Sequence, residues 1–386
     1  MMRPMKLAGD QLMFGEGCLA HLETLPFKKA FIVTSGRILE ETGILPKVRE
    51  HLTNAKMQTT TFYDVEPDPS FNTIMAGANE MKKFNPDVII AVGGGSAMDA
   101  AKGMWIYYEH EELSTLEEIL PPNQFPTLRN KAKMVCIPST SGTASEVSRS
   151  IVVTDNVTGF KHGLGNMEMM PDYAICDPLV TASMPKSLTA ATGMDALTHA
   201  VEAFTSNRAN HVSDVLAVSA IKDIINNLVN AYNEPTNLVY RENMLNASVV
   251  AGMAFTNVSL GIVHSIAHTL GSYFHVPHGL ANAIMLPYVI RFNMLESQGK
   301  KRYQELEEQL NLSSIINTIE DMNKKMNIPA SLNEIIKDED LFTSKIEEMA
   351  AMSLKDGCTK TNPVIPTFDQ FKYIIKAAYH KELIGE

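Results

Sequence analysis

The sequence lacks the features that mark several large classes of protein. Its four cysteines lie far apart and form no CxxC pair or zinc-finger spacing. This disfavours a disulfide-stabilised secreted fold and favours reduced thiols in a cytosol. No run of eighteen apolar residues occurs, and no apolar segment follows the basic residues near the N-terminus. We therefore expect neither export nor membrane insertion.

An excess of positive charge is also absent. The chain has 33 lysines and arginines against 44 acidic residues, a formal net charge of −11. A negative surface repels nucleic acid and anionic lipid, so a small-molecule partner is favoured. The 386 residues are 45% hydrophobic, enough to fill two hydrophobic cores, and two domains are predicted.

The first half alternates β-branched runs with amphipathic segments. Residues 30–34, 88–92 and 134–138 are typical of buried strands, and residues 44–52 and 74–84 have helical periodicity. This alternation predicts a parallel sheet flanked by helices.

The second half has helical periodicity and few strand signals. The Ser183-Met184-Pro185 step favours a boundary there, because proline commonly ends one element and restricts the residue before it. We predict an α/β domain over 1–184 and an all-α domain over 185–386. The predicted helices include residues 189–206, 211–230, 241–255 and 259–274.

Two loops that follow predicted strands have compositions suited to a phosphate ligand. Gly93-Gly94-Gly95-Ser96 connects a strand to a helix-forming segment, where glycine permits close approach and the helix N-terminus favours an anion. A bare glycine turn is the alternative, since the spacing is not GxGxxG. The hydroxyl-rich loop 138–143 is equally consistent with a helix cap.

The strongest local signal is a set of histidines with an aspartate. Asp195 and His199 are four residues apart, as are His264 and His268, and His278 follows. Residues at this spacing share one face of a helix. Any one of these histidines alone is best interpreted as a core residue. Burying several imidazoles in apolar helices is costly, so the set favours a divalent first-row metal.

Glu202 lies three residues beyond His199. It is either a partner of a metal ligand or a solvated surface charge, and the sequence does not decide between them.

The motifs together resemble the iron-containing (group III) alcohol dehydrogenases, which include lactaldehyde reductase, propanediol dehydrogenase and butanol dehydrogenases. The resemblance rests on Phe14-Gly15-Glu16-Gly17, the GGGS loop, residues 138–146, Asp195-x3-His199 and His264-x3-His268-x9-His278-Gly279. It implies an N-terminal dinucleotide-binding domain, a helical metal-binding domain and a cofactor in the cleft between them.

Site residues follow from the same resemblance. The implied metal ligands are Asp195, His199, His264 and His278, with His268 near the nicotinamide and the substrate. Iron(II) is favoured and zinc is possible, since both accept oxygen and nitrogen ligands. The residues implied to border the pyrophosphate are Gly94, Gly95, Ser96 and Asp99, and those implied to line the rest of the groove are Ser139, Thr140, Thr143 and Lys161.

Two departures from the family pattern occur. Where NAD-specific members have an aspartate after the first strand, this chain has Ser35-Gly36-Arg37. Aspartate would repel a 2′-phosphate, whereas these residues accommodate one, so NADP(H) is favoured over NAD(H). The alternative is an exposed turn without effect on cofactor choice. The second departure is Val364 in Asn362-Pro363-Val364, where relatives often have arginine.

The expected protein is a cytoplasmic, metal-dependent alcohol dehydrogenase or aldehyde reductase acting on a small primary alcohol or aldehyde. The resemblance also implies a homodimer or a larger homo-oligomer. One alternative is a polyol or hydroxy-acid dehydrogenase of the glycerol or 4-hydroxybutyrate type. Another is a lyase or synthase similar to dehydroquinate synthase.

Overall fold

The computed structural model describes residues 4–157 and 159–385. Close contacts group the chain into two compact units, Met1–Met184 and Pro185–Glu386.

The first unit is an α/β structure. Its strands are β1 (Gln11–Phe14), β2 (Lys29–Val33), β3 (Gln58–Phe62), β4 (Val88–Gly93), β5 (Lys133–Pro138), β6 (Ser150–Thr154), β7 (Lys161–Gly165) and β8 (Tyr173–Cys176). Its α-helices are α1 (Ile38–Glu41), α2 (Ile44–Asn54), α3 (Phe71–Phe84), α4 (Gly95–Glu109) and α5 (Pro178–Thr181). Six strands form a parallel sheet in the order β1-β8-β5-β4-β2-β3, and β6 and β7 form an antiparallel hairpin.

The central strands are buried on both faces. Along β2 and β4, Phe31 and Ile89 pack into one hydrophobic cluster, while Ile32 and Ile90 pack into another. Successive side chains of a strand point to opposite faces, so two cores require the continuous apolar runs seen in this sequence.

The strand order reverses beside β2 and β4. From β2 the chain proceeds to β3 on one side, and from β4 it proceeds to β5 on the other. Ligands of open parallel sheets bind outside the carboxyl ends of strands at such a switch point. The glycine loop lies at the carboxyl end of β4.

The second unit is helical, and its described residues contain no strand. The helices are α6 (Lys186–Thr205), α7 (His211–Asn233), α8 (Leu238–Val258), α9 (Ile262–Phe274), α10 (His278–Asn293), α11 (Ser297–Leu310), α12 (Ile315–Lys325), α13 (Glu339–Lys355) and α14 (Phe368–His380). No single helix among the described residues is long and apolar enough to cross a membrane. Only α8 and α9 taken together reach that length and hydropathy, and they are bent by 102°.

The fold class predicted from the sequence is confirmed: a parallel sheet with flanking helices is followed by an all-helical region. The single helix predicted over 259–274 is wrong at its start. The chain leaves α8 at Val258, passes through Ser259 with φ of 68°, and re-enters helix at Ile262. A positive φ in a residue other than glycine interrupts a right-handed helix.

A buried carboxylate organises the loop that leads into β5. Glu109, at the end of α4, accepts hydrogen bonds from the backbone N–H groups of residues 129–132 at 2.7–3.1 Å and from Trp105 Nε1 at 3.1 Å. Four consecutive backbone donors share this one carboxylate, so one side chain determines the conformation of the whole turn.

We expect Glu109→Ala to lower the free energy of unfolding by about 3 kcal/mol, because four partly or fully buried backbone donors lose their acceptor together. Urea denaturation followed by circular dichroism measures the change. The control is Glu111→Ala, which removes an exposed ion pair to Lys131 and should change stability by less than about 1 kcal/mol. Equal effects of the two substitutions would contradict this role for Glu109.

Candidate functional site

Three helices of the second unit bring one carboxylate and three imidazoles together. Asp195 and His199 lie on α6, His264 lies on α9, and His278 is the first residue of α10. The Oδ1 atom of Asp195 is 3.7 Å from Nε2 of His199 and 3.6 Å from Nε2 of both His264 and His278. All four residues inferred as ligands from the resemblance therefore lie together.

Close helix packing makes this arrangement possible. A Cβ atom on Gly279 would lie 2.2 Å from the backbone oxygen of Ala191, so only glycine lets α10 begin this close to α6. The imidazole of His199 stacks between the rings of Phe255 and His264, at centroid distances of 4.5 and 4.7 Å. These stacking contacts fix the orientation of the His199 and His264 imidazoles.

The electrostatics of the cluster depend on burial. Asp195 is only 3% exposed. Burial alone would raise the pKa of its carboxyl, but the adjacent imidazoles, His199 foremost, hold that pKa well below its ordinary value. Burial likewise disfavours a charged His264, yet the neighbouring carboxylates of Glu202 and Asp195 raise its pKa to about 9. Burial, together with the neighbouring histidines, instead lowers the pKa of His278 to about 3, so the cluster favours a positive charge on His264 and disfavours one on His278.

The donor set fits a divalent metal. The candidate ligand atoms of Asp195, His199 and His264 all lie within 4.8 Å of one another. The amide Nδ2 of Asn282 donates to Asp195 Oδ1 at 2.7 Å and lies 3.3 and 3.2 Å from Nε2 of His264 and His278. With one of its two hydrogens on Asp195, the amide can donate to only one of those two nitrogens. One carboxylate oxygen with three imidazoles suits iron(II) or zinc.

His268 lies beside this donor set on α9. Its ring stacks on His278 at 5.5 Å, and its Nδ1 donates to Asp356 Oδ2 at 2.8 Å. About a quarter of the His268 side chain is exposed. A carboxylate that holds Nδ1–H leaves Nε2 as the nitrogen that can accept a proton.

Glu202 is buried, which excludes the solvated-charge interpretation. It is 3% exposed, and its carboxylate contacts His264 Nδ1 at 2.5 Å. Asp195, His199 and Glu202 are spaced at i, i+4 and i+7 in an otherwise apolar stretch. That spacing puts all three on one face of a helix and was the available signal.

In the first unit, the glycine loop and the hydroxyl-rich loop pack against each other. The Ser139 N–H donates to the Gly93 carbonyl at 2.8 Å, and a Cβ atom on Gly95 would lie 2.8 Å from Thr143 Cγ2. Helix α4 begins after Gly94 without a side-chain cap. An uncapped N-terminus next to a glycine backbone is suited to a phosphate group.

Buried hydroxyls lie at the same edge of the sheet. Thr34 follows β2, and Thr140 and Ser141 follow β5. Within the described residues, the side-chain oxygens of these three residues are buried and have no hydrogen-bond partner. Because buried polar groups are normally paired, hydroxyls without a partner beside the glycine loop fit a nucleotide ligand.

Asp99 participates in an internal network. Its carboxylate accepts from Ser145 Oγ at 2.7 Å and from Val152 N at 2.9 Å. The buried Lys102 donates to the same hydroxyl at 2.9 Å and to the Ser148 carbonyl at 2.8 Å. These bonds attach α4 to the segment after the hydroxyl-rich loop, so Asp99 fixes the loops relative to each other.

Lys161, at the start of β7, is connected to the glycine loop through Asp68. Its Nζ atom contacts Asp68 Oδ2 at 2.7 Å, and the Asp68 N–H donates to Ser96 Oγ at 3.2 Å. Sequence reasoning missed Asp68, because a lone acidic residue between two prolines gives no signal for a site.

The turn after β2 contains Ser35, Gly36 and Arg37. The Gly36 N–H donates to the Tyr63 carbonyl at 2.8 Å, and the Arg37 guanidinium lies over the Tyr63 ring at 4.4 Å. The side chain of Arg37 is thereby oriented by an aromatic face at the carboxyl end of β2.

Comparison with known proteins identifies the family to which the chain belongs. The model of the iron-containing alcohol dehydrogenase family matches residues 10–178, and the C-terminal model of the same family matches residues 189–379. The chain belongs to the iron-containing alcohol dehydrogenase family. It is an oxidoreductase that acts on CH–OH groups.

Members of the family cover nearly the whole chain. An NADPH-dependent butanol dehydrogenase of Clostridium saccharobutylicum is 43% identical over 96% of both chains. An iron-containing alcohol dehydrogenase structure from Thermococcus thioreducens superposes with a TM-score of 0.91 at 31% identity, covering 98% of this chain and all of that one. The chain spans only 44% of aldehyde-alcohol dehydrogenase 2 of Entamoeba histolytica, to which it is 38% identical.

In this alcohol dehydrogenase, Glu146 follows the hydroxyl-rich loop and is 1% exposed. Within the described residues, neither of its carboxylate oxygens has a hydrogen-bond partner. Burial raises the pKa of Glu146 from its ordinary value of 4.5 to about 7. The unfolded chain therefore releases this proton at a lower pH than the folded protein does, and stability is lost as the pH rises between those values.

We expect Glu146→Gln to remove this loss. The free energy of unfolding of the variant should rise relative to the natural protein between about pH 4.5 and pH 7, by up to about 3 kcal/mol, and the difference should then stay constant. Denaturant titrations at a series of pH values measure it. Parallel stability curves for the two proteins would show that Glu146 ionises normally.

Proposed function

We propose that the protein is an iron-dependent alcohol dehydrogenase that interconverts short primary alcohols and aldehydes and prefers NADPH. The main support for the metal is the buried Asp195 carboxylate. Imidazole nitrogens of three histidines lie 3.6–3.7 Å from its Oδ1 atom. The 43% identity to a protein named NADPH-dependent butanol dehydrogenase supports butanol and butyraldehyde as substrates.

Asp195, His199, His264 and His278 would hold the metal. A divalent metal bound by these groups supplies Lewis acidity toward a substrate oxygen. His268 transfers the proton. Because Asp356 accepts a hydrogen bond from its Nδ1–H, Nε2 takes up the proton released in alcohol oxidation and returns it in aldehyde reduction. Partial exposure of His268 supports this role, because the proton must reach solvent.

Residues 1–184 would bind the nicotinamide cofactor and residues 185–386 the metal. The uncapped start of α4 and the hydroxyls of Thr34, Thr140 and Ser141 support a nucleotide at the carboxyl edge of the sheet. Arg37, held over Tyr63, would contact a 2′-phosphate. No carboxylate stands at Ser35 to repel that phosphate.

We further propose a cytoplasmic homo-oligomer. Strand β1 pairs with β8 on one side and, within the described residues, has no strand on the other. Phe14, at its end, is 65% exposed. Open edge strands are usually covered, and a second copy of the chain would cover this one. Within the described residues the four cysteines form no disulfide, which supports a reducing compartment.

The metal assignment predicts different effects for two histidines on one helix. His264→Ala should lose both bound metal and activity, since it removes a ligand. His268→Ala should retain metal and turn over about 100-fold more slowly, since only proton transfer is impaired. Metal analysis of desalted, iron-loaded protein combined with a butyraldehyde assay measures both. Loss of metal from His268→Ala would make the ligand assignment wrong.

The cofactor assignment predicts that NADPH supports faster reduction of butyraldehyde than NADH, followed by absorbance at 340 nm. Arg37→Ala should lower kcat/KM for NADPH about tenfold and leave NADH nearly unchanged, because only the 2′-phosphate loses a charged contact. Preference for NADH in the natural protein would contradict the assignment. Glycerol and 4-hydroxybutyrate, tested beside butanol in the oxidation direction, distinguish the alternative substrate classes.

A further inference from the structure

Both oxygens of the Glu202 carboxylate are engaged beside the candidate metal site. Oε2 contacts His264 Nδ1 at 2.5 Å, and Oε1 accepts from the Val263 backbone N–H at 2.7 Å. The carboxylate thus accepts hydrogen bonds both from the His264 imidazole and from the first turn of α9, the helix on which His264 lies. Neither oxygen can rotate away without losing a buried hydrogen bond.

This contact determines which nitrogen of His264 carries the proton. A carboxylate only accepts hydrogen bonds, so Nδ1 must be the protonated nitrogen of a neutral His264 ring. Nε2 then presents a lone pair, and it is the Nε2 atom that lies 3.6 Å from Asp195 Oδ1. Only this tautomer can bind a metal through Nε2.

The N-terminus of α9 packs against the Glu202 carboxylate. The helix begins at Ile262, and Gly261 before it has no side chain to cap it; the Ile262 N–H donates to Asn362 Oδ1 at 3.3 Å. A Cβ atom on Gly261 would lie 2.8 Å from Glu202 Oε1 and 2.6 Å from Asn362 Oδ1. Glycine therefore lets two side chains from elsewhere in the unit cap the helix. A helix N-terminus also stabilises a carboxylate.

We propose that Glu202 is a positioning residue that holds His264 in the Nδ1–H tautomer and thereby sets the metal affinity of the site. The proposal rests on the four-ligand metal site proposed above. Groups that orient metal-bound imidazoles commonly contribute a factor of about 10–100 in affinity.

The same helix supplies a matched control. One turn beyond His264, His268 Nδ1 contacts Asp356 Oδ2 at 2.8 Å, and Asp356 Oδ1 accepts from the Cys358 N–H at 2.8 Å. The two carboxylates hold their histidines in the same way. Because His268 is not among the proposed ligands, Asp356→Asn removes an equivalent contact without touching a ligand.

The first experiment compares full-length Glu202→Gln, Asp356→Asn and the natural protein. Each is freed of metal and titrated with Zn²⁺ against a chromophoric chelator. Glutamine cannot accept from both Nδ1–H and the Val263 N–H, so Glu202→Gln should bind Zn²⁺ about 10–100-fold more weakly. Asp356→Asn should bind as the natural protein does. Unchanged affinity in Glu202→Gln, or an equal loss in both variants, would overturn the proposal.

A second measurement does not depend on metal or on any substitution at Glu202. In metal-free natural protein labelled with ¹⁵N-histidine, NMR above about pH 9, where the His264 ring loses its second proton, should show His264 protonated at Nδ1 alone, with the resonance assigned by its absence from His264→Ala. Protonation at Nε2 alone would overturn the proposal even if Glu202→Gln fails to fold. Failure of the natural protein to bind Zn²⁺ would instead refute the proposed metal site, whatever the tautomer.

Discussion

The burial of the Asp195 carboxylate is the constraint on which the helical unit depends. A carboxylate that is 3% exposed needs compensating groups from the protein, and three imidazoles from α6, α9 and α10 supply them. To bring those helices together, Gly279 must lie against the backbone of Ala191, and Gly261, just before α9, must lie against Glu202. Packing and chemistry thus specify the same helix positions, and the proposed metal site would account for both.

Buried polar groups also connect the two loops of the α/β unit. Lys102 and Asp99 share Ser145, which places the start of α4 next to the segment that follows β5. The glycine at position 95 then allows the two loops to come into contact. The candidate nucleotide site is therefore a consequence of the sheet topology, because adjacent parallel strands end at one edge, and of one internal network that holds their loops.

Much of the fold could be predicted from local pattern. The central strands are continuous apolar runs, and the long helices of the second half have strong periodicity, so their existence was clear from sequence. Strands β1, β6 and β8 are not among the three predicted runs, and neither are β3, with the sequence QTTTF, and β7, with the sequence KHGLG. Apart from Phe62 and Leu164, the side chains of β3 and β7 are polar or absent, and pairing with a neighbour rather than composition makes them strands.

The sequence by itself determined the class of chemistry, because histidines and an aspartate at helical spacing have few other uses in an apolar segment. The resemblance to a family identified the candidate ligands among them. Tertiary structure alone decided the roles of Glu202, Asp68 and Asp356. Each is an ordinary acidic residue in sequence, and each acquires its role from a partner distant in the chain: His264, Lys161 or His268. Spacing along one helix is a local property, whereas the partner of a carboxylate depends on which helices and loops pack together.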